Sequence, residues 1–211
     1  MLIGLIRTFG HFFVTYVEIL RMLTKEQLQT AAVKYGLPVS VIQAVISVES
    51  GGSGFLPSGK PKILFEGHIF WRELKKLRIV PEKLVPGNED ILYMNWTKSH
   101  YVGGEGEHGR LAKASTINRE AALKSASWGL FQIMGGNYLS TCDKSVVQFV
   151  LEESASELNQ LYDFLNFITT TRLIRFLKAK DWARFAAGYN GPGYKANNYD
   201  TKFQAADAKY A

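Results

Sequence analysis

The chain has 211 residues, of which 46% are hydrophobic and 21% charged, and a net charge of +6. That length supports one well-buried core, and the composition excludes a disordered, collagenous or disulfide-dense chain. Lys75-Lys76 with Arg78 is the densest basic cluster, so no nucleic acid is expected as partner, and the modest positive charge favours only weak attraction to an anionic envelope or membrane.

Residues 1–21 are apolar and aromatic, with Phe9, Phe12, Phe13 and Tyr16, but Arg7, His11 and Glu18 interrupt them. No unbroken apolar run reaches the roughly 20 residues of a membrane span, and no small-residue cleavage site follows. Three readings stand: a weak membrane-targeting segment, a helix packed on the domain, or an extension upstream of the native start. The segment is set apart here as an extension, with one domain over 22–211.

Thr24 and Gln27 have capping-box spacing, and Leu23 with Leu28 that of a hydrophobic staple. A helix is therefore predicted just after Met22, with Leu28, Ala31, Ala32 and Tyr35 on one face. Pro38 suits a first helical turn, and Val41, Ile42, Val45, Ile46 and Val48 predict a second helix that ends at Gly51-Gly52. Ile63-Leu64-Phe65 is a short β-like run, after which Phe70, Leu74 and Leu77 restore helical spacing. Pro81 to Gly109 reads as an extended loop rich in Gly and aromatics. Ser154 and Glu157 form a second capping-box pattern ahead of Leu158, Leu161, Tyr162 and Leu165. Trp182, Phe185, Ala186 and Tyr189 predict a further helix, stopped by Gly191-Pro192-Gly193. The sum is an α+β domain, mainly α-helical, with a small β element near Ile63 and long loops that line a cleft.

The single cysteine, Cys142, permits no internal disulfide or paired-cysteine zinc site and reads as a buried structural thiol. The four histidines, His11, His68, His100 and His108, lack the spacing of a helical zinc site. No metal or cofactor is expected. A Ser/His/Asp hydrolase has no support, because no nucleophile-elbow motif occurs.

Glu49 is the sharpest chemical feature. It follows Val45 by four residues and Ile42 by seven, so it projects from the apolar face of its helix. It also sits in the last turn, beside the negative end of the helix dipole. Both surroundings disfavour the carboxylate and push its pKa upward. A carboxyl group kept protonated near neutral pH is what a glycosidase needs to protonate a leaving oxygen. Read alone, the position equally fits a Glu that swings to solvent at a fraying helix end.

Three segments in order supply the context: Glu49-Ser50-Gly51-Gly52, Ser127-Trp128-Gly129-Leu130-Phe131-Gln132-Ile133 and Gly188-Tyr189-Asn190-Gly191. Their order resembles that of lysozyme-like lytic transglycosylases and goose-type lysozymes. With Gly54-Phe55-Leu56-Pro57, Leu64-Phe65-Glu66-Gly67-His68 and Tyr189-Asn190-Gly191-Pro192-Gly193-Tyr194, the chain is more closely similar to the phage and prophage N-acetylmuramidase family, whose members are often endolysins. The resemblance runs from about Met22 to the C-terminus. Many members carry a small wall-binding domain ahead of the catalytic one, for which this chain leaves no room.

The resemblance implies a lysozyme-like fold and a muramidase that cuts the β-1,4 bond between N-acetylmuramic acid and N-acetylglucosamine. Glu49 matches the catalytic acid. Ser127 and Gln132 match the segment lining the glycan cleft opposite it, and Tyr189 and Asn190 match the pair that packs near the glutamate. Phe131 or Trp128 is expected to support a sugar face or the cleft wall. The implied partner is the glycan strand of bacterial peptidoglycan. The implied setting is a monomer made in a host bacterial cytoplasm and acting in the periplasm or cell wall, with the export route open.

A second carboxylate is needed to position water in an inverting hydrolase. Glu66, between apolar neighbours, is the candidate, although a structural ion pair fits as well. Glu105 and Glu107 read as solvated loop charges. Without such a carboxylate the muramic 6-hydroxyl is the acceptor, as in a lytic transglycosylase giving 1,6-anhydro products. A zinc amidase and a non-catalytic glycan-binding or virion module are the rival classes.

Overall fold

Thr24 caps the first helix as its spacing predicts, with its side chain accepting from the Gln27 N–H and the Gln27 side chain accepting from the Thr24 N–H. The computed structural model describes residues 21–211. Residues 1–20 of the segment set apart above as an extension, His11 among them, lie outside the described residues, while Arg21 donates to the Gly59 carbonyl.

Helix α1 (Lys25–Tyr35) ends on left-handed Gly36. Helix α2 (Val39–Ser50) follows Pro38 and ends on Gly51, again left-handed, so the two glycines provide the reversal that most residues resist. Strand β1 (Ile63–Phe65) leads into α3 (Gly67–Lys76). Between Pro81 and Gly109 the expected loop is broken by a 3-10 turn, Pro81–Leu84, and by the start of α4 (Glu105–Ile117). Acidic residues in the first turn of α4 complement its dipole, a signal that the glycine-rich run obscured in sequence.

Helix α5 (Arg119–Lys124) is followed by β2 (Ala126–Trp128) and β3 (Ile133–Met134). With β1 they form an antiparallel sheet in the order β1-β2-β3. The β element near Ile63 is thus one strand of a three-stranded sheet whose other two strands overlap the two ends of the Ser127–Ile133 motif. Both are too short to show alternation, and β2 is buried throughout.

Helices α6 (Val146–Ala155) and α7 (Glu157–Thr170) meet at Ser156, which caps α7 by accepting from the Asn159 N–H. The capping box read at Ser154 and Glu157 is therefore misplaced. The Ser154 hydroxyl donates back to the Val150 carbonyl inside α6. The buried Glu157 carboxylate instead accepts from the Leu23 and Gly54 N–H groups, tying the start of α1 and the loop after α2 to α7. Helices α8 (Ile174–Lys178), α9 (Trp182–Tyr189) and α10 (Tyr199–Tyr210) complete the fold. Helix α10 packs along α2, where the Ser40 hydroxyl donates to Asp207 and Lys180 pairs with the same carboxylate. Cys142 is exposed and left-handed, not buried as its isolation suggested: a 3-10 helix, Gly135–Thr141, ends on it and turns its side chain outward.

Glu153 on α6 and Asp163 on α7 are both buried, and one carboxylate oxygen of each, Oε2 and Oδ2, has no hydrogen-bond donor among the described residues. Burial raises Asp163 to about 8, helped by the Asp143 and Glu152 charges, and lifts Glu153 well above the carboxylate range. Two such acids form a stable contact only by holding a proton between them. Because both folded pKa values are raised, the stability they contribute is complete below about pH 4 and is lost as pH rises through 8. Thermal unfolding of wild type is expected to fall from pH 5 to 9 more steeply than that of Asp163→Asn, whose amide donates to Glu153 without a titrating proton. Parallel pH profiles would show that the pair is not what titrates.

Candidate active site

Every piece of the site comes from the end of an element. Glu49 occupies the last turn of α2, and its half-buried carboxyl accepts through Oε1 from Asn190 Nδ2 at 2.8 Å. Burial raises its pKa to about 7, against a smaller opposing effect of that hydrogen bond. The sequence-based expectation of an elevated acid on an apolar helix face therefore matches its surroundings.

Asn190 is placed by Tyr189, its neighbour at the end of α9. The Tyr189 hydroxyl donates to the Phe131 carbonyl at 2.6 Å, and its ring stacks on Phe185 and meets the edges of Phe164 and Phe167. Nearby Glu49 adds to the burial that raises the Tyr189 pKa, and does the same to half-buried Tyr199 at the start of α10. Tyr199 carries no motif, and sequence reasoning missed it.

Phe131 and Trp128 do not present a face to a sugar. Phe131 is 1% exposed and stacked on Phe164 at 4.2 Å, while Trp128 is 3% exposed and donates its indole N–H to the Leu123 carbonyl. Both belong to the core, because the turn joining β2 to β3 lies over α7. What the site takes from Phe131 is its backbone carbonyl.

That turn is shaped by Gly129 and Gln132, both at positive φ. Gly129 faces the Glu153 carboxylate so closely that a Cβ would lie 2.0 Å from Oε2. Gln132, a non-glycine residue in the left-handed region, is held by its own side chain. Its Oε1 accepts from the Ser127 hydroxyl at 2.8 Å and its Nε2 donates to the Gly129 carbonyl at 2.9 Å. Ser127 and Gln132 thus shape the turn first, and of the two only the half-buried Gln132 side chain keeps appreciable exposure.

Lys62 was also missed, and it ties the two halves together. Its Nζ donates to the Ser50 carbonyl, one residue beyond Glu49, at 2.8 Å. Its own carbonyl accepts from the Gly129 N–H. Burial alternates from Pro61 to Gly67, placing Lys62, Leu64 and Glu66 on the outward face of β1. Ser127 and Met134 share that face, because Leu64 pairs with Ser127 and Ser127 with Met134. The face therefore runs from the end of α2 toward Glu66, with about 13 Å between the Lys62 and Glu66 Cα atoms at strand rise.

Glu66 makes no hydrogen bond with Glu49 among the described residues. Its Oε1 accepts from the Tyr101 hydroxyl at 2.7 Å, and His68 Nδ1 lies 3.1 Å from Oε2. Burial raises its pKa, with Tyr101 and Arg110 opposing, and burial lowers that of His68. Glu107 is not a solvated loop charge: it is fully buried and accepts from the N–H groups of Phe65, Val102 and Gly103 and from Arg110. Burial alone would raise it, but those donors hold it below the usual range. Glu105 is exposed in the first turn of α4, where it pairs with Lys60 and accepts from Ser58.

With this geometry in view, a sequence model of the N-acetylmuramidase family matches residues 38–211. The chain belongs to the N-acetylmuramidase family. Among solved structures, this N-acetylmuramidase is similar to the crystal structure of the endolysin of Burkholderia phage AP3, with 38% identity and a TM-score of 0.78 over 90% of this chain and 72% of that one. No curated protein matches it. The N-acetylmuramidase is thus a glycoside hydrolase with peptidoglycan as its substrate class, and its mainly helical fold with a small sheet is the endolysin fold.

Proposed function

We propose that this N-acetylmuramidase acts as an endolysin-type muramidase. It would cleave the β-1,4 bond between N-acetylmuramic acid and N-acetylglucosamine in the host cell wall, with Glu49 as general acid. The observation that carries the reading is the Glu49–Asn190 pair. Burial leaves the carboxyl largely protonated up to about pH 7. Asn190 donates to Oε1, which keeps that oxygen an acceptor and leaves the proton on Oε2. That proton passes to the glycosidic oxygen as the oxocarbenium-like transition state develops. Tyr189 fixes Asn190, while Ser127 and Gln132 fix the turn on the other side. Asn190 Oδ1, buried without a partner among the described residues, is an open acceptor for an N-acetyl N–H.

Glu66 is the proposed water-positioning carboxylate. It shares the outward face of the sheet with Ser127, and its Oε2 faces only His68 Nδ1, at 3.1 Å, among the described residues. Mass spectrometry of digested peptidoglycan tests the scheme. Wild type is expected to release reducing muramic ends, and Glu49→Gln at least about a hundredfold fewer in the same time. Anhydro-muramic ends would transfer the acceptor role to the 6-hydroxyl and remove Glu66 from it. Undiminished cleavage by the variant would overturn the role of Glu49.

A further inference from the structure

Beyond Glu66, the outward face meets the loop between α3 and α4, whose aromatic residues have no role in the scheme above. Tyr101 reaches back to Glu66, and Trp96 lies beside the Tyr101 hydroxyl, where it partly offsets the burial that raises the Tyr101 pKa. Tyr93 stacks on His100 at 4.8 Å and more loosely on His68. The Tyr93 hydroxyl accepts from the Gly67 N–H and from Arg110. The loop is thus pinned at several points, yet Trp96 remains 58% exposed.

The Lys98 ammonium sits 5.7 Å over the Trp96 ring, and an indole restrained there and beside Tyr101, with its other face to water, has less freedom to lose on binding. Leaving that face exposed gains the isolated protein nothing, whereas covering it with an apolar surface does. The flat, C–H-rich face of a hexosamine ring is such a surface, and its hydroxyl and acetamido rim would find Glu66, Tyr101 and His68 alongside. Glu66 Oε2 and His68 Nδ1 lie 3.1 Å apart and make no hydrogen bond to any other group among the described residues.

We propose that Trp96, with Tyr101 and Glu66 behind it, forms a glycan subsite that stacks an N-acetylhexosamine ring of the same strand whose neighbouring bond is cut at Glu49. The subsite rests on the muramidase reading for its ligand class and extends it to a named platform. It belongs to the loop rather than to the motifs.

Tryptophan fluorescence reads this site almost alone, because Trp71, Trp128 and Trp182 are 7%, 3% and 7% exposed. In full-length Glu49→Gln protein, a soluble β-1,4 oligomer of N-acetylglucosamine is titrated while acrylamide quenching is followed, with calorimetry for affinity. Quenching is expected to fall toward the baseline set by an added Trp96→Phe change, which keeps an aromatic face and most of the affinity. Trp96→Ala is expected to weaken binding about tenfold, in the range of a stacked aromatic anchor. Binding that leaves Trp96 fully quenchable, or equal affinity in the alanine variant, overturns the subsite, as does absence of oligomer binding. Wild-type digestion products report on cleavage separately, so the subsite can fail while the muramidase reading stands.

Discussion

Glu49→Gln is expected to lower turnover on peptidoglycan by about 10²- to 10⁴-fold, the usual worth of a positioned general acid, while leaving the fold intact. Glutamine keeps the Oε1 acceptor for Asn190 and loses only the proton to be donated. Two further measurements separate this outcome from damage to the structure. In wild type, kcat/KM should fall above about pH 7, tenfold per unit in the limit, because the free enzyme then loses the proton from Glu49. The variant's stability should move the other way from its activity. The folded pKa of Glu49 is raised, so its contribution is complete below about pH 4.3 and is lost as pH rises through 7. Glu49→Gln should therefore unfold at the same temperature as wild type at pH 4 and at a higher one at pH 8. A variant that loses activity and stability together at pH 8 would point to a structural role.

Replacing Arg110 should cost more stability than any other single change in the sheet region. The side chain is 5% exposed and makes five hydrogen bonds, to Phe65 O, Glu107 Oε2, twice to Asp90 O, and to the Tyr93 hydroxyl. It therefore joins β1, α4 and the loop that carries Tyr93. Arg110→Ala leaves a buried Glu107 carboxylate without its cation and is expected to cost about 3–5 kcal/mol, read from denaturant unfolding. Arg110→Lys should recover only part of that, because an ammonium cannot serve both carbonyls and the carboxylate from one plane. A loss under about 1 kcal/mol would show that the three backbone donors on Glu107 suffice alone.

The same residue shows where sequence reading stops. The helices that could be read were those whose signals are local: the Thr24 capping box, the Gly51 stop, and the apolar spacing ahead of Gly191. Glu49 was legible for the same reason, since its place on an apolar face near a helix end follows from counting. Glu107 and Cys142 were misread because burial is decided by what packs against a residue, and Arg110 and the 3-10 helix before Cys142 leave no mark at those positions. Phe131 and Trp128 sit in a motif whose backbone shapes the site while their rings serve the core, a division that residue type cannot express. Lys62 and Tyr199 reach the site through tertiary packing, and no spacing announces either.

The Asn190–Glu49 hydrogen bond closes a loop of 141 positions, and the Tyr189–Phe131 bond one of 58. Contacts of such sequence separation form late, because their closure entropy must be met before they stabilise anything. During synthesis from the N-terminus, Glu49 is made long before Asn190, which hydrogen-bonds to it. A ribosome-bound chain ending before Tyr189 has its helix α2 but no completed proton donor. On the proposed role of Glu49, the enzyme becomes competent only as Tyr189 and Asn190 dock, and partial products that end before them are expected to carry no lytic activity.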